Sequence, residues 1–240
     1  MLFCFFIMSF CLTVNAGISK LPHVFNLSFD DKSNPGKDES ENGNKGELKG
    51  AAKWTDQGHT GGGVEFDGND SHVEIVVDVP EKNFTMGVWI KTDQGDVGIY
   101  SVLDGAAGDG GHDRHFFLKD GNVNFRTWQG VGWATEKNVA DGEWHHIALV
   151  AQDGVGQIAY VDGVEVGKND YDHSDFDWQK RVWIGFSNDA AVDYFEGVID
   201  EVAYLDIPLS KNDLPALMQP LAVEMNNKLP TFWSEIKKDY

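Results

Sequence analysis

Residues 144–163 read WHHIALVAQDGVGQIAYVDG, and the reading of this stretch decides the fold. Trp144–Ala151 and Gln157–Val161 are rich in aromatic, β-branched and other apolar residues, which suits a pleated, half-buried surface. Asp153-Gly154 separates the two runs and Asp162-Gly163 follows the second. Asp-Gly supplies the positive φ angles of tight hairpins. The stretch therefore predicts two antiparallel strands followed by another chain reversal.

The pattern repeats outward in both directions. Seven Asp-Gly dipeptides begin at Asp67, Asp104, Asp109, Asp120, Asp141, Asp153 and Asp162. Further strand-like runs are His23–Phe29, Val73–Val77, Phe84–Lys91, Val97–Leu103, Phe116–Leu118, Val123–Trp128, Val182–Phe186 and Phe195–Leu205. Short strands with frequent turn signals indicate an antiparallel β-sandwich or barrel. Asp30–Glu47 reads as a polar loop, and Ser210–Met218 as a short helix opened by a capping-box-like Ser210 and Asp213. Residues 220–240 form a C-terminal tail, with Phe232, Trp233 and Ile236 on one face of a short amphipathic helix. The expectation is one all-β domain over residues 17–219 with a helical appendage.

Composition narrows the function classes. The chain has 240 residues, 39 Asp plus Glu against 19 Lys plus Arg, and a formal charge of −20. Such a surface repels phosphate backbones and anionic lipid, which argues against nucleic-acid and membrane-surface partners. Hydrophobic content of 41% with 12% aromatics is enough for a sizeable core and argues against disorder. Residues 1–16, MLFCFFIMSFCLTVNA, are apolar, shorter than a bilayer span, and end in Val14-Asn15-Ala16 with small residues at the −3 and −1 positions. This reads as a cleaved signal peptide of a secreted protein. Cys4 and Cys11 both lie in it, so a mature chain without cysteine draws its stability from the core and from any bound cation.

The order of segments resembles the LamG-like jelly-roll family of the concanavalin A-like lectin/glucanase superfamily. The pieces are His23-Val-Phe-Asn-Leu-Ser-Phe-Asp-Asp31, Gly62–Ile75, Phe84-Thr-Met-Gly-Val-Trp-Ile-Lys91, Gly142-Glu-Trp-His-His-Ile-Ala-Leu149, Ala159-Tyr-Val-Asp-Gly163 and Phe195-Glu-Gly-Val-Ile-Asp-Glu-Val202. The resemblance covers residues 23–218. The resemblance implies two antiparallel sheets packed face to face, with the first and last strands adjacent. It also implies carbohydrate or protein partners and, in many members, calcium. Adjacent terminal strands would bring Asp30 and Asp200 together, and two such carboxylates repel unless a cation lies between them. Calcium takes about six to eight oxygen ligands, so a few carboxylates with carbonyls and water suffice. Asp31 and Glu201 are the alternative donors, because strand neighbours face opposite sides.

Sugar recognition calls for flat aromatic faces and planar polar groups. Trp128 and Trp133 flank the turn Gln129-Gly-Val-Gly132, with Arg126 one strand step before Trp128, and these three are assigned to a ligand surface. The glycine-rich loop Asp104–His115 adds Asp113 and Arg114. Trp89, Trp144 and Trp183 lie in apolar strands and are assigned to the core. Adjacent His145 and His146 point to opposite faces, and the family pattern Trp-x-His favours a packed, hydrogen-bonded histidine. Glucanases of this fold set paired acids on one strand as Glu-x-Asp-x-(x)-Glu, a motif missing here; Glu65-Phe-Asp67 runs into Gly68-Asn69-Asp70 instead. The expected function is a secreted, non-catalytic, calcium-stabilised carbohydrate-binding module. An adhesion or protein-interaction domain of the same fold is the alternative, and a glycoside hydrolase ranks behind both.

Overall fold

The computed structural model describes residues 21–104, 112–126, 132–171 and 179–219. The leader at 1–16, the tail at 220–240, Trp128 and most of Asp170–Asp177 lie outside the described residues. The strands are β1 (His23–Leu27), β2 (Gly46–Lys49), β3 (Lys53–Thr55), β4 (Gly63–Asp67), β5 (His72–Val76), β6 (Phe84–Lys91), β7 (Gly98–Leu103) and β8 (His112–Lys119). They continue as β9 (Asn122–Arg126), β10 (Gly132–Asn138), β11 (Trp144–Gln152), β12 (Gly156–Val161), β13 (Val164–Asn169), β14 (Arg181–Ile184) and β15 (Glu196–Leu205).

Two antiparallel sheets result. Sheet I runs β13-β12-β11-β6-β15-β4-β3, with β1 also paired to β15; sheet II runs β10-β9-β8-β7-β14-β5-β2. Their inner faces meet in one core that includes Phe25, Leu27, Val64, Met86, Val88, Phe116, Phe125, Ile147, Leu149, Val182 and Tyr204. Two of the Asp-Gly dipeptides form the expected tight hairpins, whereas Asp67-Gly68 and Asp141-Gly142 lie in connections that carry the chain from one sheet to the other. Asp120-Gly121 and Asp162-Gly163 each have positive φ at both residues (51° and 76°, 51° and 74°), which makes two-residue hairpins whose twist matches their strands.

The run Trp144–Ala151 is apolar on both faces for a reason. Ile147, Leu149 and Ala151 enter the core, while Ala148 and Val150 face outward beneath Leu209, Leu214 and Leu217. The segment that supplies this cover is a single 3₁₀ turn, Leu214–Met218, rather than the longer helix expected over Ser210–Met218. Pro215 sits in its first turn, and the Ser210 hydroxyl bonds the Asp213 carboxylate (2.6 Å) instead of capping a backbone N–H. The Asp30–Glu47 loop is likewise more ordered than its polarity suggests. Asp38 accepts the N–H groups of Asn26 (2.9 Å), Ser40 (2.9 Å) and Asn44 (2.6 Å), pinning the loop along β1. Among the described residues no helix is long and apolar enough to cross a membrane.

β15 organises sheet I. On one side Glu196–Ile199 pair with β4 and Val202–Leu205 with β1; on the other side the strand pairs with β6. The first and last strands are therefore neighbours, as the resemblance implies. Between the two partners the β6 register shifts from Asp200↔Trp89 to Ala203↔Gly87, and Glu201 takes φ 48°. This bulge inserts an extra residue, so Asp200 and Ala203 share the outward face although they are three apart.

Candidate cation site and ligand surfaces

The bulge sets the most unusual electrostatics among the described residues. Asp200 is fully buried, and its carboxylate accepts the N–H of Thr60 at Oδ2 (3.0 Å) and of Glu201 at Oδ1 (2.8 Å). Asp30, three residues beyond β1, accepts the N–H of Gly62 at 2.9 Å. One short loop, Gly58–Gly62, thus grips both acids. Glycine is required within it, because a β-carbon on Gly61 would collide with the Asp30 carboxylate and its φ is +65°. A β-carbon on Gly58 would collide with the Gly62 carbonyl and come within 3.0 Å of the Asp200 carboxylate.

Burial pushes the Asp200 carboxyl up to about 7, and the Asp30 charge adds to the rise against the opposing N–H donors. Glu201 is also buried, and burial followed by the charges of Asp200, Asp30 and Glu39 drives it up to about 9. Its Oε1 has no hydrogen-bond partner among the described residues. Asp31, the other alternative donor, is exposed and closes a turn on Ser33 N (2.9 Å), facing solvent. The donor set at Asp30 and Asp200 is hard oxygen, held close and short of positive charge, which fits calcium. Among the described residues no group of three or more His, Cys, Asp or Glu side chains is arranged to hold a metal. A cation here would therefore complete its shell with backbone carbonyls and water.

The predicted ligand residues do not share one surface. Arg126 pairs with Gly132 and Phe125 with Trp133 across β9 and β10, so Arg126 and Trp133 face opposite sides of sheet II. Trp133 points inward, packs on Phe125 with centroids 4.9 Å apart and donates to Gln157 Oε1 (2.9 Å). It closes the open end of the sandwich between β10 and β13, an edge-cover role. Arg114 is 1% exposed, with φ 51°, and bonds Glu81 (2.9 Å) and Gln179 (2.5 Å). Glycine-rich surroundings suggested a surface arginine, but its charge is instead matched by a buried carboxylate. Asp113 lies on β8 opposite Val102.

Arg126 does reach the outer face of sheet II. Its guanidinium pairs with Asp189, whose other oxygen lies 3.8 Å from His115 Nε2. His115 Nδ1 meets the hydroxyls of Ser101 (2.7 Å) and Ser187 (2.8 Å). The row continues across Ser101↔Trp183 and Trp183↔Glu74, where Glu74 accepts from Trp183 Nε1 (3.0 Å) and Arg181 (2.8 Å). Sequence reasoning missed Asp189 and Glu74, whose acids come from a loop and from a strand far from Arg126 in the chain.

Of the three tryptophans assigned to the core, Trp89 and Trp183 are buried, but on the outer faces of the sheets rather than between them, and Trp144 is half-buried. Trp183 belongs to a small outer cluster with Leu103 and Phe186, under His72 (3.7 Å, 21° between rings). Trp89 lies on the outer face of sheet I beneath His59, and Trp144 is half-buried beside it. Apolar strands misled here because both faces of the central strands are covered. His146 is buried as expected, yet its Nε2 has no hydrogen-bond partner among the described residues. The hydrogen-bonded ring is His145, held by Asp162 (2.8 Å) and Asp141 (3.2 Å).

A family model, Laminin_G_3 of the concanavalin A-like lectin/glucanases superfamily, matches residues 67–214. The chain belongs to this family. The match includes Asp200 and begins after Asp30, so the Laminin_G_3 region holds one half of the acid pair. Among solved structures, domain 4 of AbnA, a GH43 extracellular arabinanase from Geobacillus stearothermophilus in complex with arabinotriose, aligns with TM-score 0.66 and 18% identity over 83% of this chain and 99% of that one. The receptor binding domain of botulinum neurotoxin C/D mosaic serotype aligns with TM-score 0.60 and 12% identity, over 80% of this chain and 49% of its own. The binding domain of Paraclostridial Mosquitocidal Protein 1 gives TM-score 0.57 and 16% identity, over 84% and 52%. This Laminin_G_3 protein therefore spans about half of those two chains, and at such identities the likeness is one of fold. No curated protein sequence matches it.

Proposed function

We propose that this Laminin_G_3 protein is a secreted, non-catalytic carbohydrate-binding domain stabilised by calcium. The observation that carries the reading is the Arg126–Asp189–His115 row on the outer face of sheet II. A guanidinium anchored on a carboxylate offers a planar fork of donors beside an acceptor, the pattern that vicinal sugar hydroxyls need. Arg126 remains part-exposed, at 38% of its side chain, so the fork is open to a ligand. Fold alone does not imply this function, so the argument rests on the site. Asp30 and Asp200 would hold the calcium, which would supply charge neutralisation to the bulge of β15. The leader at 1–16 supports secretion.

One observation favours a protein-interaction domain as the second reading. Trp183, the aromatic ring of the same row, is 8% exposed and covered by His72, so the row offers charge more than flat ring surface. A panel of soluble oligosaccharides that includes arabinotriose, titrated by calorimetry, separates the two. Saturable binding lost in Arg126→Ala supports carbohydrate recognition; no binding across the panel overturns it.

A further inference from the structure

The outer face of sheet II continues past the Arg126 row. His115↔Arg126 and Phe117↔Asn124 are successive pairs on one face of β8 and β9, and β10 sets Gly132 opposite Arg126 and Ala134 opposite Asn124. Phe116, Leu118, Val123 and Phe125 fill the core, so Phe117 and Asn124 point outward. Phe117 is half-buried, belongs to none of the buried apolar clusters, and stacks on no other ring among the described residues.

One flank of this ring is walled. Gly98, its partner on β7, has no room for a side chain, because a β-carbon there would collide with Ser187 N and the Asp193 carbonyl. The same loop sends Asp189 to Arg126, so it runs beside both outward residues. The other flank is low. Ala134 is exposed, and a β-carbon on Gly132 would meet nothing closer than 3.6 Å. Asn124 lies in the floor between them at 9% exposure. Its amide donates to Asn122 O (2.8 Å), and its Oδ1 has no hydrogen-bond partner among the described residues.

A flat ring, an amide and a guanidinium–carboxylate fork therefore share one shallow trough. A sugar residue stacks its C–H surface on such a ring and bonds its hydroxyls to such groups. The aromatic face that Trp183 does not offer is supplied one row away. Phe117 and Arg126 are diagonal neighbours, about 7–8 Å apart between backbones, a span that one stacked sugar ring does not fill. Arg126 is already matched by Asp189, Asn124 and Phe117 carry no charge, and the chain as a whole carries −20. Acidic sugars are repelled by such a surface.

We infer that Phe117 and Asn124 extend the Arg126 site into a trough for a neutral oligosaccharide of at least two residues. One residue stacks on the Phe117 ring and bonds Asn124, and the next bonds the Arg126–Asp189 fork. This rests on the carbohydrate reading above and adds to it the ring, the length and the charge of the ligand.

Wild type, Phe117→Leu, Phe117→Trp, Asn124→Ala and Arg126→Ala are to be compared by calorimetry. The probes are the monomers, dimers and trimers of arabinan, xylan and cellulose, with trigalacturonic acid as the acidic member. Phe117→Leu keeps an apolar side chain without a flat face and should weaken the oligomer bound by wild type about tenfold. Asn124→Ala should weaken it as well, and the matching monomer should bind more weakly than the dimer. Phe117→Trp should bind at least as tightly as wild type, and its added tryptophan emission should change on saturation, a readout that does not depend on the other variants folding. Wild-type binding that Arg126→Ala abolishes but Phe117→Leu and Asn124→Ala leave unchanged overturns the trough and keeps the carbohydrate reading. A monomer bound as tightly as its trimer, a preference for trigalacturonic acid, or an emission unmoved by a bound oligomer does the same. No binding of any probe by wild type overturns both.

Discussion

Asp200 and Trp89 are direct cross-strand partners at the centre of sheet I, the acid shut away from solvent and the indole under an imidazole. A strand that carries a buried carboxylate beside an aromatic ring has to resolve the charge locally. Three acids, Asp30, Asp200 and Glu201, share the problem, and only backbone N–H groups are seen answering it at the pair.

Calcium is expected to stabilise the protein through this pair. At a concentration about a hundredfold above its dissociation constant, a cation bound only by the folded state adds about 2.7 kcal/mol. For a chain of this size that raises Tm by roughly 5–10 °C. Asp200→Asn should lose the increment while keeping or improving stability in EDTA, because it removes a buried charge. Calorimetric transitions of wild type that coincide in EDTA and in calcium would refute the cation site.

The buried His146 ring should take stability away in mild acid, against the opposite contribution of Asp200 and Glu201, whose raised carboxyls take up protons in the folded state first. Burial holds the His146 imidazole down to about 4, against 6.5 for the unperturbed ring. Above 6.5 both states are neutral and pH has no effect through this residue. As pH falls from 6.5 to about 4 the unfolded chain takes up a proton that the folded one refuses, and stability is lost across that window. The loss from this ring is about 3 kcal/mol. His23 and His72 are lowered in the same direction by burial. His146→Met should flatten part of the acid limb in urea denaturation measured from pH 4 to 7; an unchanged limb would show that the ring is not buried neutral.

The Arg114–Glu81 pair is buried on both sides, at 1% and 2% side-chain exposure. Glu81→Ala should destabilise by about 3–5 kcal/mol, because it strands a guanidinium in the interior. Pairing Glu81→Leu with Arg114→Met should recover most of the loss, since apolar replacement of both partners removes the desolvation cost together with the attraction. Equilibrium denaturation of the single and double variants checks this. A single variant as stable as wild type would place the arginine in solvent.

Trp133 and Arg126 should separate cleanly under substitution. Trp133→Ala opens the end of the sandwich and should cost about 3 kcal/mol of stability with oligosaccharide binding retained. Arg126→Ala should leave Tm within a degree or two and abolish binding. If both variants lose binding at full stability, the two residues form one ligand surface despite facing opposite sides of sheet II.

The sequence announced ten of the fifteen strands through apolar runs and Asp-Gly turns, and left five unseen: β2, β3, β4, β10 and β13. β4 is short and lies inside sheet I; the other four are the outermost strands of the two sheets. Their sequences, GELK, KWT, GWATEKN and VEVGKN, carry the charges and polar groups that keep edges from pairing with other chains, which erases the apolar signal of a strand. The acid pair was legible because the resemblance implied the adjacency of terminal strands, but the bulge that buries Asp200 and Glu201 together was not. Alternation predicts opposite faces for neighbours, and a residue with positive φ breaks that rule without any glycine to mark it. Outward-facing tryptophans escaped for a related reason. Composition cannot distinguish a core face from an outer face that a loop or a terminal segment covers.

The place of β15 in sheet I has a consequence for biosynthesis. Its residues 196–205 lie between β6 on one side and β1 and β4 on the other, so β1 has no partner, and β4 and β6 each keep one open flank, until residues 196–205 are made. A nascent polypeptide released before residue 196 would present those flanks unpaired, open to strand addition by other copies. Closure of the sheet is then a late, non-local event, of the kind that takes milliseconds to seconds rather than microseconds. Termination before β15 should therefore yield insoluble product rather than a shortened domain.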